Sequence, residues 1–506
     1  MSEGIEKVSS SSNSVNDDIE SLDNHGTTGA EGSKMQNQEL MEAEMPQGEP
    51  VVEIRRELAN IIDVPDGGYG WFVVLAIFLF NFSTWGANSA YAIYLAHYLN
   101  YDVFHGATSV DYGAIGGLTF GSGLLFGPVI NLITGILGLH ITIGIGIVLQ
   151  FVALMLASYS TKLWELYMTQ GVMLGIGLAT IAIPNIAVLP QWFRRRRSLA
   201  IGISASGSGC GGICFGLGMQ HIIEIRSYEW ALRAEAIICI VCSGVALALI
   251  RTRLKEIKAE FKFIDKLCLR NFGVLVLLLW LIWTILGYVV LLYNLSDFTI
   301  SLGYTSYQGS IVSTMVSVGA MVVRPIVGRL CDLFGAVTVN VIVHLLVTIF
   351  TFAMWIPARN FATALIFALI AGSLMGSIWV VMATITTRIA GLQKMGACMS
   401  TLWTIVGIAG IVSPVIGVKL RETRSSGEVD PSQYLHPSLF VGFSYFGACL
   451  SLFVLRGWLI ARDEILMEIE KEDEEAGEDT GAELFITVPP LRALRCCLKL
   501  KGLKKV

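Results

Sequence analysis

Charged residues are scarce in this chain, and the stretches without them are long. Of 506 residues 15% are charged and 54% are hydrophobic, whereas an ordinary soluble domain has about 25% charged residues. The charges concentrate in residues 1–66, in residues 251–270 and after Arg456. Between them lie the uncharged runs that a hydrocarbon layer about 30 Å thick requires. The composition therefore excludes a soluble enzyme and predicts a membrane protein.

The patterns of catalytic and cofactor sites are also missing. Eight of the ten cysteines lie in or beside the apolar region, at no metal-ligand spacing. The glycine-rich patches fall inside apolar runs, where they cannot cradle a phosphate, and no nucleophile constellation appears. We expect no catalytic residue, no metal, no cofactor and no nucleic-acid partner.

Two cysteines stand apart near the C-terminus. Cys496 and Cys497 lie in "LRALRCCLKLKGLKKV", which follows the acidic run "EIEKEDEEAGED". A basic, partly apolar tail with adjacent cysteines can lie on an anionic membrane and be palmitoylated. Simple solvation of the tail is the alternative.

Twelve segments are long enough to cross a membrane as helices, which need about 20 residues. They are residues 71–98, 112–134, 138–158, 163–188, 199–222, 231–250, 271–295, 310–330, 335–356, 362–385, 396–418 and 438–460. Their continuous apolarity favours helices, because a barrel strand would alternate polar and apolar residues. We therefore expect an all-α membrane protein with twelve transmembrane helices.

Lysine and arginine in the short loops predict the orientation. With both termini in the cytoplasm, the inner loops hold fourteen basic residues and the outer loops hold seven. Residues 1–62 have no early apolar core, so no cleavable signal is visible. We expect both termini to be cytoplasmic, in either the plasma membrane or the vacuolar membrane.

The basic stretch 251–270 divides the apolar region into two sets of six spans. This pattern predicts a disordered polar N-terminal tail, a six-helix bundle, a basic cytoplasmic linker, a second bundle, and an acidic then basic cytoplasmic tail. The predicted boundaries are 1–66, 67–250, 251–270, 271–460 and 461–506.

A short element recurs in both halves. The sequence reads "GPVINLIT" from Gly127, near the end of span 2, and "GRLCDLFG" from Gly328, near the end of span 8. Asn131 thus matches Asp332. The second copy resembles the G-x-x-x-D-x-x-G loop of the major facilitator superfamily, which implies a gating role for Gly328, Asp332 and Gly335. The first copy has lost the acid and the final glycine.

Two further motifs narrow the resemblance. "DGGYGW" comprises Asp66, Gly67, Gly68, Tyr69, Gly70 and Trp71, and "WFRRRRSLAIGISASGSG" enters span 5. Together they resemble the signatures of the monocarboxylate porter family, closest to its fungal branch, over about residues 64–460. Glycines allow a sharp turn into the bilayer, and Tyr69 and Trp71 suit the interface. The first motif could be only an anchoring belt or could act in gating.

Arg324 is the sharpest candidate for substrate binding. It lies about six residues before the inner end of span 8, roughly 9 Å along a helix. Its forked donors could bind a carboxylate in the central cavity, or its side chain could snorkel to the cytosol. The R-P pair matches the family's substrate-binding arginine. The family's aspartate four residues earlier is Ala320 here, and its span 1 lysine falls near Asn88, which leaves substrate and coupling open.

Other polar groups in the spans are weaker candidates. The predicted substrate-binding residues besides Arg324 are Asn88, Tyr91, Asn185, Tyr288, Asn294 and Trp379. For each, a polar contact between helices or an interfacial ring is an equal alternative. His344, His97 and Glu235 could carry a proton, but a rim ion pair of Glu235 with Arg233 is the safer interpretation.

These features favour a secondary active or facilitative transporter of a small organic anion, monocarboxylate-like, that works by alternating access. Protons and membrane lipid are the other expected partners. A carrier of a larger or uncharged solute and a transporter-like nutrient sensor without turnover are the alternatives. Oligomeric state cannot be deduced from the sequence.

Overall fold

The computed structural model describes residues 51–54, 65–101, 103–253, 270–391, 394–421, 431–476 and 484–497. Most of the predicted N-terminal tail and of the 251–270 linker lies outside these residues. Within them, helices dominate, because long apolar segments can satisfy their backbone polar groups in a bilayer only by internal hydrogen bonds.

Among the described residues, eleven helices are long and apolar enough to cross a membrane, and one bent pair supplies a twelfth crossing if its two helices count as one span. The bounds of spans 1 to 12 are Gly70–Leu95, Val110–Leu125 with Gly127–Leu137, Leu139–Ala157, Leu163–Gln191, Arg197–Ile225, Tyr228–Leu249, Phe272–Ser301, Tyr307–Phe334, Ala336–Trp355, Phe361–Ala390, Met395–Leu420 and Ser432–Glu468. The predicted helical membrane fold is confirmed.

Several spans are not uniform α-helices. Span 1 consists of Gly70–Asn81, a π-helical turn at Phe82–Gly86, and Tyr91–Asn100 after a short break. Other π-helical turns lie at Tyr167–Met173 and Thr351–Trp355, and 3₁₀ turns lie at Leu189–Gln191 and Pro431–Tyr434. Such irregularities inside helices often mark functional positions.

The α-helices that make up the spans have the following bounds. They are Gly70–Asn81, Tyr91–Asn100, Ser109–Leu125, Gly127–Leu137, Leu139–Ala157, Leu163–Leu166, Leu174–Ile186, Arg197–Ile225, Tyr228–Leu249, Phe272–Ser301, Ser306–Phe334, Ala336–Phe350, Phe361–Met375, Ile378–Ala390, Met395–Leu420 and Leu435–Ala476. A short helix, Pro490–Cys497, follows.

Span 2 breaks where the sequence has Gly127 and Pro128. Its two helices meet at an angle of 47°, and Pro128 lies in the first turn of the second helix. A proline lacks the N–H that would continue the first helix, but it suits the start of a new one. The sequence predicted a span over residues 112–134 here, and the structure adds a bend within it.

The spans pack as two halves that meet along two seams. In the first half, spans 1, 3, 5 and 6 make extensive contacts with one another. In the second half, spans 7, 9, 11 and 12 do the same. Between the halves, span 5 packs on span 8 and span 2 packs on span 11. At these seams a Cβ on Gly209 would lie 2.6 Å from the Ser317 carbonyl oxygen, and one on Gly121 would lie 2.7 Å from that of Gly407. Only glycine allows helices to approach so closely.

The segments outside the bundle meet each other. Four residues of the predicted N-terminal tail, Val51–Ile54 (β1), pair antiparallel with Leu484–Thr487 (β2). The last helix continues past residue 460 to Ala476. Helix Pro490–Cys497 packs on it, and Cys496 is buried there beside Glu464. Because Cys496 is buried, its thiol is not accessible for the predicted palmitoylation. The side chain of Cys497 lies outside the described residues.

Candidate functional site

A cavity of about 530 Å³ lies between the two halves, within the range of small-molecule sites. Both halves contribute to its wall. Six of the seven residues predicted to bind substrate line it: Arg324, Asn88, Tyr91, Asn185, Tyr288 and Trp379. The fold thus brings together residues that are far apart in the sequence.

Asn294 is the predicted residue that does not line the cavity. Its amide nitrogen donates to the Val290 carbonyl at 2.7 Å, and its side chain packs beside Gly417 of span 11. The neighbouring Tyr293 lines the cavity instead. Consecutive helical residues point about 100° apart, so a step of one residue moves a side chain to a different part of the helix surface.

Arg324 is 5% exposed and reaches across the seam between the halves. Its Nη1 donates to the Ala205 carbonyl at 2.6 Å and to the Ser208 hydroxyl, both in span 5. Ala205 lies eight residues into that span, about 12 Å from its first residue. The guanidinium therefore points into the molecule rather than snorkelling to the nearer end.

No described carboxylate forms an ion pair with Arg324, and its Nε has no hydrogen-bond partner. Nε faces Gly376, where a Cβ would lie 2.6 Å away. Glycine at this position therefore allows the guanidinium to pack directly on the backbone of span 10. A buried cation without a counter-charge is costly, and an anion that enters the cavity would remove that cost.

A cluster of aromatic rings forms the wall next to Arg324. Trp379 stacks on Trp85 at 5.8 Å and on Trp403 at 5.7 Å between ring centroids. The edges of Tyr288 and Phe120 also contact Trp379, at 6.4 and 6.3 Å. Trp85 and Phe120 come from the first half and the other rings from the second. The cluster joins the halves with an apolar surface.

Three of these aromatic residues, Trp85, Phe120 and Trp403, were not among the sequence candidates. Their side chains look like ordinary apolar residues in a span. One signal could have identified Trp85: it lies three residues before Asn88, and residues at that spacing share a helix face.

Polar residues of the first half line another part of the cavity. The Tyr91 hydroxyl donates to the Tyr112 carbonyl at 2.6 Å. The Asn185 amide nitrogen donates to the Ile181 carbonyl at 2.6 Å, whereas its Oδ1 is buried without a partner. Asn88 is half-buried in the wall. These groups offer hydrogen bonds to a bound solute in addition to the Arg324 charge.

The two signature motifs contact each other. One Asp66 carboxylate oxygen accepts the backbone N–H groups of Arg194 and Arg195 at 2.7 and 2.8 Å. Trp71 packs its ring edgewise on Phe193, with centroids 5.1 Å apart. Gly68 has φ +59°, a conformation that glycine adopts without strain. The first motif therefore positions the connection between spans 4 and 5.

Asp332, at the end of span 8, binds the start of span 5. Its two carboxylate oxygens accept the N–H groups of Ser198 and Leu199, each at 2.9 Å, in the first turn of span 5. A carboxylate is stabilised at a helix N-terminus because the unpaired N–H groups and the helix dipole favour negative charge. Gly328 packs on the Ser198 backbone, and Gly335 ends the span 8 helix with φ +95°.

The first-half copy of this element has a matching place. Asn131 is buried at the end of span 2, and a Cβ on Gly396, in the first turn of span 11, would lie 3.1 Å from its Oδ1. The repeat seen in the sequence therefore marks equivalent positions at the two seams. Asn131 lacks the charge of Asp332 but occupies the equivalent position.

The end of the molecule that carries Asp66, Arg194–Arg197 and Asp332 is called the basic end here. The halves are linked there by Asp332. The cavity lining extends toward the opposite end, to Leu217, Gln220 and Tyr307. The conformer is therefore closed at the basic end, and its cavity extends away from it.

The predicted proton sites lie away from the cavity wall. His344 is buried in the second half, where its Nδ1 contacts the Asn340 carbonyl at 2.9 Å and its Nε2 accepts from the Trp280 indole at 3.0 Å. His97 lies in the second helix of span 1, where its ring packs against Tyr101 and Tyr228. The predicted rim ion pair of Glu235 with Arg233 is wrong, because Glu235 is buried and bonded to Tyr94.

Comparisons with known proteins agree with this architecture. A family model described as the Major Facilitator Superfamily matches residues 73–414. Probable transporter MCH2 of Saccharomyces cerevisiae is 49% identical over 449 residues, 88% of this chain and 93% of that protein. Uncharacterized transporter ESBP6 of the same yeast is 34% identical over 409 residues, 78% of this chain and 60% of that protein.

A solved structure shares the fold. The proton:xylose symporter XylE, bound to 6-bromo-6-deoxy-D-glucose, superimposes with a TM-score of 0.58 at 13% identity and covers 76% of this chain and 94% of its own. The relatives are transporters rather than enzymes, in agreement with the sequence. The chain is an integral multi-pass membrane protein that belongs to the major facilitator superfamily.

Proposed function

We propose that the protein is a secondary carrier that moves a small organic anion across a membrane by alternating access. The observation that carries this proposal is Arg324, a buried cation on the cavity wall without a carboxylate partner among the described residues. Arginine presents a planar fork of donors that matches a carboxylate. The resemblance of the signatures to the monocarboxylate porter family supports the same substrate class.

The space around Arg324 suits one carboxylate attached to an apolar body. The guanidinium packs on Gly376, and Trp379 lies one helical turn further along the same span. A carboxylate held by Arg324 in the cavity would place the remainder of its molecule near Trp379 and Tyr288, which line the same cavity. Burial of that apolar surface would add to the affinity.

The arrangement of the halves supports alternating access. The cavity lies at the seam of the two halves and is closed at the basic end by the Asp332 contact with span 5. Release of that contact and closure of the opposite end would expose the same cavity to the other side. The excess of basic residues in loops at the basic end favours a cytoplasmic location for it.

A larger solute is the second candidate. The cavity of about 530 Å³ exceeds what a three-carbon acid needs, and Asn185 Oδ1 and Trp403 Nε1 are buried polar atoms in its wall without partners. A substrate panel should therefore extend from lactate and pyruvate to aromatic and larger carboxylic acids and their uncharged amides.

Transport by purified protein in liposomes tests the proposal. Labelled acids should enter faster than their amides, and Arg324→Gln should abolish the difference. Arg359→Gln is the matched control, because Arg359 is exposed and bonds only to carbonyls beside it at the end of span 9. Preference for an amide would favour an uncharged solute, and binding without uptake would favour a sensor.

A further inference from the structure

Glu235 is a carboxylic acid inside a membrane span. It lies in the second turn of span 6 and is 3% exposed. Among the residues that the structure describes, no other aspartate or glutamate is buried to this degree. Acidic residues within membrane segments are expensive and usually serve a function.

Its surroundings favour an uncharged carboxyl group. The one hydrogen bond to Glu235 comes from the Tyr94 hydroxyl, at 2.7 Å, and Tyr94 is 1% exposed. No described cation pairs with Glu235. Arg233, two residues earlier, donates to the Ser158 hydroxyl at 3.1 Å and lies over the Tyr159 ring, 4.5 Å from its centroid.

The titratable groups that interact with Glu235 are few. They are Tyr94 and Tyr98 from the second helix of span 1 and Cys239 from its own helix. The described parts of spans 3 and 5, which also pack on span 6, contribute no charged group to its surroundings. A carboxylate in such a place lacks compensation, so ionisation of Glu235 requires a change in its surroundings.

The position couples this carboxyl group to the cavity wall. Tyr94 belongs to the short helix Tyr91–Asn100, which follows a break in span 1. Tyr91, one turn earlier on the same helix, lines the cavity and bonds to the Tyr112 carbonyl. Movement of this helix therefore changes both the cavity wall and the surroundings of Glu235.

We propose that Glu235 is the proton-binding group of this carrier, and that Tyr94 positions it. One proton binds a carboxylate oxygen of Glu235 and is released during each cycle, together with one substrate anion. Ala320, which stands where the family resembled by this chain has an aspartate, gives the cavity no acid. Asp297 is the described acid of the second half that lines the cavity, and it is exposed and paired with Arg421 at 3.3 Å. The inference rests on the proposed transport of an organic anion.

The first experiment measures coupling in liposomes that contain purified protein, with labelled lactate, pyruvate and benzoate as probes. Uptake by protein-free liposomes is subtracted at early times, because the neutral acids also cross a bilayer unaided. In wild type, a one-unit pH gradient should drive about ten-fold accumulation of a transported acid, as expected for one proton per anion. Glu235→Gln should remove this accumulation but keep exchange of the same acid with unchanged affinity. Tyr94→Phe should keep exchange and shift the pH midpoint of uptake.

Glu229→Gln is the matched control, because Glu229 lies in the first turn of the same helix and is half-buried at its end. It should accumulate acid like wild type. Accumulation by Glu235→Gln in proportion to the pH gradient would overturn the inference, as would wild-type uptake that is indifferent to the gradient. If Arg324→Gln loses exchange while Glu235→Gln behaves as expected, the result concerns the proposed anion binding by Arg324 and leaves the assignment of Glu235 unchanged.

A second measurement does not depend on transport. Infrared difference spectra of the reconstituted protein between pH 5 and pH 9 should show one carbonyl band of a protonated carboxyl group, and Glu235→Gln should remove it. If none of the three acids is transported, this band still decides whether Glu235 exchanges a proton. A Glu235 carboxyl that keeps one protonation state across this range would refute its assignment.

Discussion

Replacement of Asp332 by asparagine should weaken the link that closes the basic end. The carboxylate accepts two backbone N–H groups of span 5, each at 2.9 Å. Asparagine retains one acceptor, but its amide group would face the second N–H donor. A hydrogen bond to a charged group contributes about 1.5 to 3 kcal/mol. Loss of one such bond should therefore shift the balance of conformers about ten-fold to more than a hundred-fold.

Distances between spin labels can report this shift. Labels at Arg196 and Phe334, both exposed at the basic end, lie on opposite halves. Labels at Leu217 and Tyr307 lie across the opposite end. In Asp332→Asn the first distance should lengthen and the second should shorten, because opening one end closes the other in alternating access.

Asp463→Asn is the matched control for this experiment. Asp463 pairs with Arg388 at 2.6 Å, but both residues belong to the second half. This variant removes a carboxylate interaction without loosening a contact between the halves, so both label distances should remain as in wild type. Unchanged distances in Asp332→Asn, or equal changes in both variants, would refute the assignment of Asp332 to gating.

Two further predictions concern orientation and the first signature. Labels at positions 30, 260 and 480 should all be cytoplasmic, since basic residues favour that side. If position 260 is protected from a protease added on the cytosolic side, and detergent restores cleavage, this orientation is contradicted. Gly68→Val should insert normally but transport poorly, because φ +59° is strained for a β-branched residue. Gly67→Ala is the control for this variant, since no atom lies within 4 Å of the added Cβ. Normal transport by Gly68→Val at equal abundance would show that the motif only anchors the chain at the interface.

Much of the fold follows from hydropathy alone. Each predicted segment has a counterpart among the spans, because a bilayer requires a long apolar helix wherever the chain crosses it. Local irregularities were not predicted. The bend of span 2 at Pro128 depends on how the following helix packs, and a single proline in an apolar run does not reveal the angle.

The site was less predictable, because long-range contacts decide it. Polarity inside apolar spans identified Arg324 and Asn185, but it could not show that Tyr293 rather than Asn294 lines the cavity. That depends on how the span 7 helix is rotated against its neighbours. The contact of Asp66 with Arg194 and Arg195 joins motifs more than a hundred residues apart. The burial of Glu235 beside Tyr94 likewise depends on how spans 1 and 6 pack.

Substrate affinity of Arg324 variants tests the central claim most directly. Binding of the transported acid to Arg324→Lys and Arg324→Gln, normalised to folded protein, should be about thirty-fold to more than a hundred-fold weaker than in wild type. This range corresponds to loss of a charge-assisted bidentate contact, on the order of 2 to 3 kcal/mol, and lysine lacks the planar fork. Arg359→Gln should bind like wild type. Unchanged affinity in both Arg324 variants would remove Arg324 from the binding site and contradict an anionic substrate held by this residue.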